Sequence, residues 1–283
     1  MNDGVPRAAV FGWPVEHSRS PLVHGYWLKE LGITGQYERY ALPPEEVEDL
    51  PEILRRRGFV GGNVTIPHKE AAFRLSDEAD PVAVRLGAAN TLWFESGRLI
   101  AANTDGFGFL SNLDARARGW DRNRGGALVL GAGGAARAIV LALCDRGFDP
   151  VLIANRTAER AEALVSQFGA ACRAVPLQGA DNAVADVGLI VNTTSGGMNG
   201  NDDPPLSLDR AVEDAVVTDI VYTPLRTGLL RRAEARGLRT VDGLGMLLHQ
   251  AVPGFEKWFG GHPSVTEALR AAVIDDLEAS RCS

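Results

Sequence analysis

ALVLGAGGAARAIVLALC, residues 127–144, is the stretch whose reading decides the fold. It is almost wholly apolar and resembles a membrane span at first sight. Arg137 and the glycines Gly131, Gly133 and Gly134 interrupt it, and a buried strand, a glycine-rich turn and a helix account for it better. In that context each small residue is needed where it stands. Gly131 permits the tight turn, Gly133 lets the backbone approach a pyrophosphate, and Ala136 allows the helix to pack close to the strand. The first amides of the helix then face the phosphates.

The next strand, VLIAN (151–155), ends in NRTAER, which places Arg156 twenty positions after Ala136 and Arg160 one helical turn later. A carboxylate at this place accepts from a ribose 2′-hydroxyl, whereas a guanidinium clamps a 2′-phosphate. Asn155 and Thr157 add neutral donors, and no acid intervenes before Glu159. NADP is therefore expected over NAD.

Further short apolar runs at 188–192 and 215–222 continue this second α/β pattern. The first 105 residues alternate in the same way. RAAVFG (7–12) reads as a strand; Ser20-Pro21 reads as an N-cap with proline at the first helical position; a helix is expected over 45–57; FVGGNVT (59–65) reads as a strand, and Pro67 opens a helix to about Leu75. ANTLWFE (89–95) and RLIAANT (98–104), joined at Ser96-Gly97, read as a hairpin ending at Asp105. From Gly243 the chain is helical and lacks strands of its own, so it is expected to pack back on the first domain. The expected architecture is α/β in two domains, residues 1–105 with 243–283 and a Rossmann domain over 106–242.

Composition narrows the partners. Basic residues number 29 against 36 acidic ones, a net charge of −7, which disfavours a nucleic-acid or polybasic membrane surface and favours small molecules. Cys144, Cys172 and Cys282 are odd in number without CxxC spacing, and five histidines lack metal-ligand spacing. Neither a disulfide framework nor a metal site is expected. MNDGVPRAAVFGWP lacks the pattern of a signal peptide, and the expected location is the cytoplasm. No HExxH, GxSxG or P-loop is present.

Lysine occurs only at Lys29, Lys69 and Lys257 among those 29 basic residues. Lys29 and Lys257 fall in amphipathic helices, whereas Lys69 follows the turn in NVTIPHK (63–69). Arginine does not release its proton in a protein, but lysine can, so Lys69 is the candidate for proton exchange. The alternation of a strand puts Asn63 and Thr65 on one side just before it. Asp105, in NTDGFG, is either an N-cap or a carboxylate that orients a substrate hydroxyl. Ser18, Ser20, Asn90, Tyr222 and Gln250 supply the neutral hydrogen-bonding groups that a polyhydroxylated acid needs.

Taken together, GWPVEHSRSPLVH, GGNVTIPHK, GAANTL, NTDGFG, GAGGAARA, NRT, Asn192-Thr193-Thr194, DIVYTP and DGLGMLLHQA resemble the shikimate dehydrogenase family over nearly the whole chain. The resemblance implies reduction of 3-dehydroshikimate to shikimate with NADPH, in aromatic amino-acid biosynthesis, by a discontinuous substrate domain and an NADP domain with the active site in the cleft between them. It implies Lys69 and Asp105 as the catalytic pair. Ser18, Ser20, Asn63, Thr65, Asn90, Tyr222 and Gln250 would hold the substrate. Gly131, Ala132, Gly133, Gly134, Ala135, Asn155, Arg156, Thr157, Arg160, Thr193, Ile220, Gly243 and Met246 would line the cofactor. A monomer or homodimer is expected. Gly25 departs from the family's common Asn, and Ser195-Gly196-Gly197 from a segment that often contains Pro, a change expected to bear on the nicotinamide-side loop. A quinate/shikimate dehydrogenase of broader range and a non-catalytic NADP-binding sensor remain alternative readings.

Overall fold

Glycine at 61 and 62 lets two layers of the first unit meet. A Cβ on Gly62 would lie 2.3 Å from the Ala9 carbonyl oxygen, and one on Gly61 would lie 2.2 Å from that of Leu92 and 2.4 Å from Trp258 Nε1. The space at Gly61 admits the Trp258 indole, whose N–H donates to the Leu92 carbonyl at 2.8 Å and ties the C-terminal helical region to the sheet. The structure is a computed structural model and describes residues 4–122 and 125–280. Cys282 and the first three residues of the N-terminal stretch lie outside the described residues.

The chain divides into two units, Met1–Thr104 with Leu248–Ser283, and Asp105–Leu247. In the first, the strands are β1 (Arg7–Gly12), β2 (Gln36–Ala41), β3 (Gly61–Val64), β4 (Glu78–Ala79), β5 (Thr91–Glu95) and β6 (Arg98–Ala102), in the order β2-β1-β3-β5-β6-β4. β1 runs parallel to both β2 and β3, and β5 pairs antiparallel with β3 and with β6. Phe11, Leu54, Leu92 and Leu99 sit in its buried core. Trp27 donates to the Ser264 carbonyl at 2.9 Å, and Arg19 pairs with Asp276 at 2.9 Å, so the C-terminal segment completes this unit.

In the second unit the strands are β7 (Ala127–Leu130), β8 (Val151–Asn155), β9 (Cys172–Pro176), β10 (Leu189–Asn192), β11 (Val216–Asp219) and β12 (Arg239–Val241). They form one parallel sheet in the order β12-β11-β10-β7-β8-β9. This is the doubly wound order, with the strand order reversing at β7, where such sheets bind ligands.

Several local expectations are corrected. The helix Ser20–Glu30 takes Arg19 as N-cap, so Ser20 is its first residue: Arg19 is already in right-handed conformation, and Ser18 Oγ accepts from the Ser20 amide at 3.3 Å. The stretch at 45–57 is a 3₁₀ turn, Pro44–Asp49, followed by an α-helix, Leu50–Arg57. Thr65 lies one residue beyond β3, outside the regular alternation with Asn63, although its amide still donates to the Phe11 carbonyl at 2.9 Å. The helix attributed to Pro67 begins at Lys69. The unit boundaries fall at 104 and 248 rather than at 105 and 243. Asp105 opens the helix Asp105–Arg116, which packs so closely on the helix Gly134–Arg146 that a Cβ on Gly106 would stand 3.0 Å from Ala142. Gly243 and Gly245 abut Ile220 and Asn112 of the same unit.

Candidate active site

Within the first unit, one buried hydrogen-bonded network joins three of the expected substrate residues. Asn63 donates through Nδ2 to the Asn90 carbonyl at 3.2 Å, and its Oδ1 accepts from the Tyr37 hydroxyl at 2.6 Å. Asn90 Oδ1 accepts from Thr91 Oγ1 at 2.9 Å and from the Thr104 amide at 2.9 Å, while its Nδ2 donates to Gln250 Oε1 at 3.3 Å. The Gln250 carbonyl accepts from Thr104 Oγ1 at 2.8 Å. Buried amides with this many partners have fixed orientations, which is what recognition of a rigid polyol requires. Tyr37, Thr91 and Thr104 escaped the sequence reading because nothing in their local pattern distinguishes them from ordinary strand and turn residues.

Lys69 is half-buried at the start of its helix, and its carbonyl accepts from the Ala89 amide at 2.8 Å. That bond ties the lysine's backbone to the residue before Asn90. His68, beside it, is buried, with Nε2 2.7 Å from the Leu42 carbonyl. Ser18 lies in the turn before the first helix, where Arg39 donates to its carbonyl through Nε at 3.0 Å and Nη2 at 2.7 Å. Ser20 is buried, and its hydroxyl is close enough to Tyr37 to favour the phenolate, although burial pushes the Tyr37 pKa up far more strongly.

His24 stacks on Tyr37 with ring centroids 3.9 Å apart and is wholly buried among Trp27, Phe255 and Trp258. Neither ring nitrogen has a hydrogen-bond partner. Burial holds its pKa down to about 3 from 6.5, opposed more weakly by Asn63. The native state thus disfavours the imidazolium. Stability from this group is fully present above pH 6.5 and is lost as pH falls towards 3, at about 1.4 kcal/mol per pH unit. His24→Phe is expected to flatten this dependence: between about pH 7 and about pH 5 the urea midpoint of the wild type should fall more steeply than that of the variant. Parallel curves would contradict the assignment.

In the second unit, the glycine turn is shaped for a phosphate group. Gly131 has φ +106°, and a Cβ there would lie 2.5 Å from Thr193 Oγ1, which itself donates to the Leu130 carbonyl at 2.6 Å. A Cβ on Gly133 or Gly134 would meet nothing within 4 Å, and the helix from Gly134 starts without a side-chain cap, so its first amides face an open cradle. Ala132 and Ala135 are half-buried beside them. At the end of β8, Asn155 Nδ2 donates to the Thr157 carbonyl at 2.8 Å and shapes the turn that leaves Arg156 and Arg160 exposed. Ile220 and Met246 pack against the core of this unit, and Gly243 brings the chain so close to Ile220 that a Cβ would lie 2.2 Å from its carbonyl oxygen. Asp105 is buried in the first turn of its helix, and Tyr222 is half-buried just past β11. The geometry fits a dinucleotide at β7 and β8 by its donor set and its glycine cradle.

Residues 10–92 match the family described as shikimate dehydrogenase substrate binding domain, residues 115–199 the shikimate / quinate 5-dehydrogenase family, and residues 243–274 the shikimate 5′-dehydrogenase C-terminal domain. A curated protein of Azorhizobium caulinodans named shikimate dehydrogenase (NADP(+)) is 58% identical over 277 residues, covering 96% of this chain and 97% of its own. The chain belongs to the shikimate dehydrogenase family. A shikimate dehydrogenase (NADP(+)) of Rhizobium meliloti is 55% identical, covering 97% and 96%. The crystal structure of shikimate 5-dehydrogenase from Thermus thermophilus in complex with NADP(H) and shikimate is 42% identical with a TM-score of 0.85, covering 95% of this chain and 100% of that one. Quinate dehydrogenase from Corynebacterium glutamicum in complex with NAD is 28% identical with a TM-score of 0.89, covering 96% and 99%.

The shikimate dehydrogenase substrate-domain match contains Ser18, Ser20, Asn63, Thr65, Lys69 and Asn90, while Asp105, Ile220 and Tyr222 fall between matched segments. Of the two departures, Gly25 stands in open space where a side chain would meet nothing within 4 Å. Gly197 adopts φ +81°, a conformation closed to proline.

Proposed function

We propose that the protein is an NADP-dependent shikimate dehydrogenase that reversibly reduces the C3 carbonyl of 3-dehydroshikimate to the alcohol of shikimate. One observation supports this beyond the family: the half-buried Lys69 is bound through its backbone to Ala89, which places it next in the fold to the Asn63–Asn90–Gln250 network. Gly131–Ala135, Asn155, Arg156, Thr157, Arg160, Thr193, Ile220, Gly243 and Met246 would hold NADPH, which when bound would supply the hydride. The Lys69 ammonium gives its proton to the oxygen formed at C3 and takes it back in the reverse direction. Asp105 accepts from a substrate hydroxyl. Ser18, Ser20, Asn63, Thr65, Asn90, Tyr222 and Gln250 hold the hydroxyls and carboxylate of the substrate through neutral hydrogen bonds.

Among the described residues no helix is long and apolar enough to cross a membrane. The enzyme so proposed works in the cytoplasm as a monomer or homodimer acting on small molecules. Comparison of kcat/KM for shikimate and for quinate, each with NADP and with NAD, tests it. Shikimate with NADP should be the best combination by at least about tenfold, the factor that one good discriminating contact supplies. Equal turnover of quinate would assign the broader-range activity instead.

A further inference from the structure

The carboxylate of Asp219 takes no part in the chemistry above, yet it is wholly buried at the end of β11. Its Oδ1 accepts from Asn192 Nδ2 at 2.9 Å and from the Val221 amide at 3.0 Å, and its Oδ2 accepts from Thr227 Oγ1 at 2.8 Å. Burial raises its pKa, with Asp203 adding to the rise, and the same three donors pull it back. Such a group costs stability that an apolar residue of similar volume would not. What it supplies is direction.

An ionised carboxylate only accepts hydrogen bonds, so Asn192 must turn its amide nitrogen towards Asp219 and its oxygen the other way. That oxygen accepts from the Thr194 amide at 3.1 Å and from Thr194 Oγ1 at 2.7 Å, and the nitrogen also donates to the Gly196 carbonyl at 3.3 Å. The Gly196 amide closes the turn on Thr194 Oγ1 at 3.0 Å. The turn at 192–196 is therefore built on one amide whose orientation Asp219 dictates, and Thr193, against Gly131, lies in its middle. On its other side, the bond to the Val221 amide sets the bend that presents Ile220 and Tyr222.

We infer that Asp219 is a positioning residue that fixes the Thr193 and Ile220 loop ends for cofactor binding and the Tyr222 bend for substrate binding. The inference rests on the cofactor and substrate roles proposed for those residues.

Asp219→Asn tests it. The new amide keeps its oxygen towards Asn192 and the Val221 amide and turns its nitrogen towards Thr227, whose hydroxyl can rotate to accept, so what is lost is the charge that strengthens all three bonds. The Kd for NADPH, read by fluorescence titration, should rise about 5–30-fold, as expected when that charge assistance is lost. The KM for shikimate should rise with it, and kcat at saturation should fall by less than about threefold, since no reacting group is touched. A lower Tm with unchanged Kd and KM would mean a purely structural role and overturn the inference. Should Asp219→Asn not fold, Thr227→Val removes only the donor to Oδ2 and the helix cap; a rise of about 2–5-fold in the NADPH Kd, reversed in Thr227→Ser, is expected. An unchanged Kd in folded Thr227→Val would overturn the inference equally. Wild-type protein that binds no NADPH would instead overturn the cofactor reading itself, so the two failures are distinguishable.

Discussion

Lys69→Ala lowers kcat by about 10²–10⁴ and leaves the affinity for NADP nearly unchanged, the loss expected when a positioned general acid is removed. The size follows from the lack of a substitute. Lys29 and Lys257 are exposed on helices, and Lys257 lies over the Trp93 ring, 4.8 Å from its centroid. The neighbouring His68 is buried and engaged with the Leu42 carbonyl. With the lysine gone, hydride would reach a carbonyl whose developing oxyanion has lost its proposed general acid. Steady-state kinetics in both directions, with NADP affinity measured by direct titration, read the effect. Retained kcat would remove Lys69 from the mechanism, and a parallel loss of NADP affinity would make its role one of binding.

Arg156→Asp moves the preference from NADP towards NAD. The guanidinium is exposed at the end of β8, where the turn held by Asn155 presents it. Loss of a charge-assisted pair with a phosphate is worth about 1.5–3 kcal/mol, or roughly 10–100-fold in NADP affinity. The introduced carboxylate adds repulsion towards the 2′-phosphate and an acceptor for the 2′-hydroxyl of NAD. The ratio of kcat/KM values for the two cofactors is the quantity to follow. An unaltered ratio would place the phosphate site away from Arg156, with the exposed Arg160 as the next group to replace.

The doubly wound sheet was legible because its central strands are buried apolar runs and its glycine turn sits between strand and helix. β9 and β12 were not. β9 is largely exposed apart from Cys172 and the half-buried Val175, and β12 has three residues of which only Val241 is fully buried, so neither edge strand carries a strong hydrophobic signal. The short helix Pro81–Leu86 did carry a signal, Asp80 before Pro81: the Asp80 carboxylate accepts from the Ala83 amide at 2.6 Å. The candidate site was legible where a residue type is chemically conspicuous, as for Lys69 and Arg156. The supporting layer was not, because Tyr37, Asn192 and Asp219 act through contacts between elements distant in sequence. Tyr37 on β2 reaches Asn63 on β3 past the intervening β1, and Asp219 reaches Asn192 from the adjacent strand. Only the assembled sheets bring those groups together. Net charge was likewise the wrong scale for the cofactor, since a chain of net charge −7 carries a local cationic turn at Arg156 and Arg160.

The measurement that bears most directly on an NADP-dependent shikimate dehydrogenase is the absorbance in the NADPH band after the purified protein is mixed with shikimate and NADP. A steady rise is predicted, slowed about 10²–10⁴-fold in Lys69→Ala and reversed on addition of 3-dehydroshikimate with NADPH. A flat trace from protein that binds NADP tightly would contradict that activity and leave a cofactor-binding protein without this chemistry.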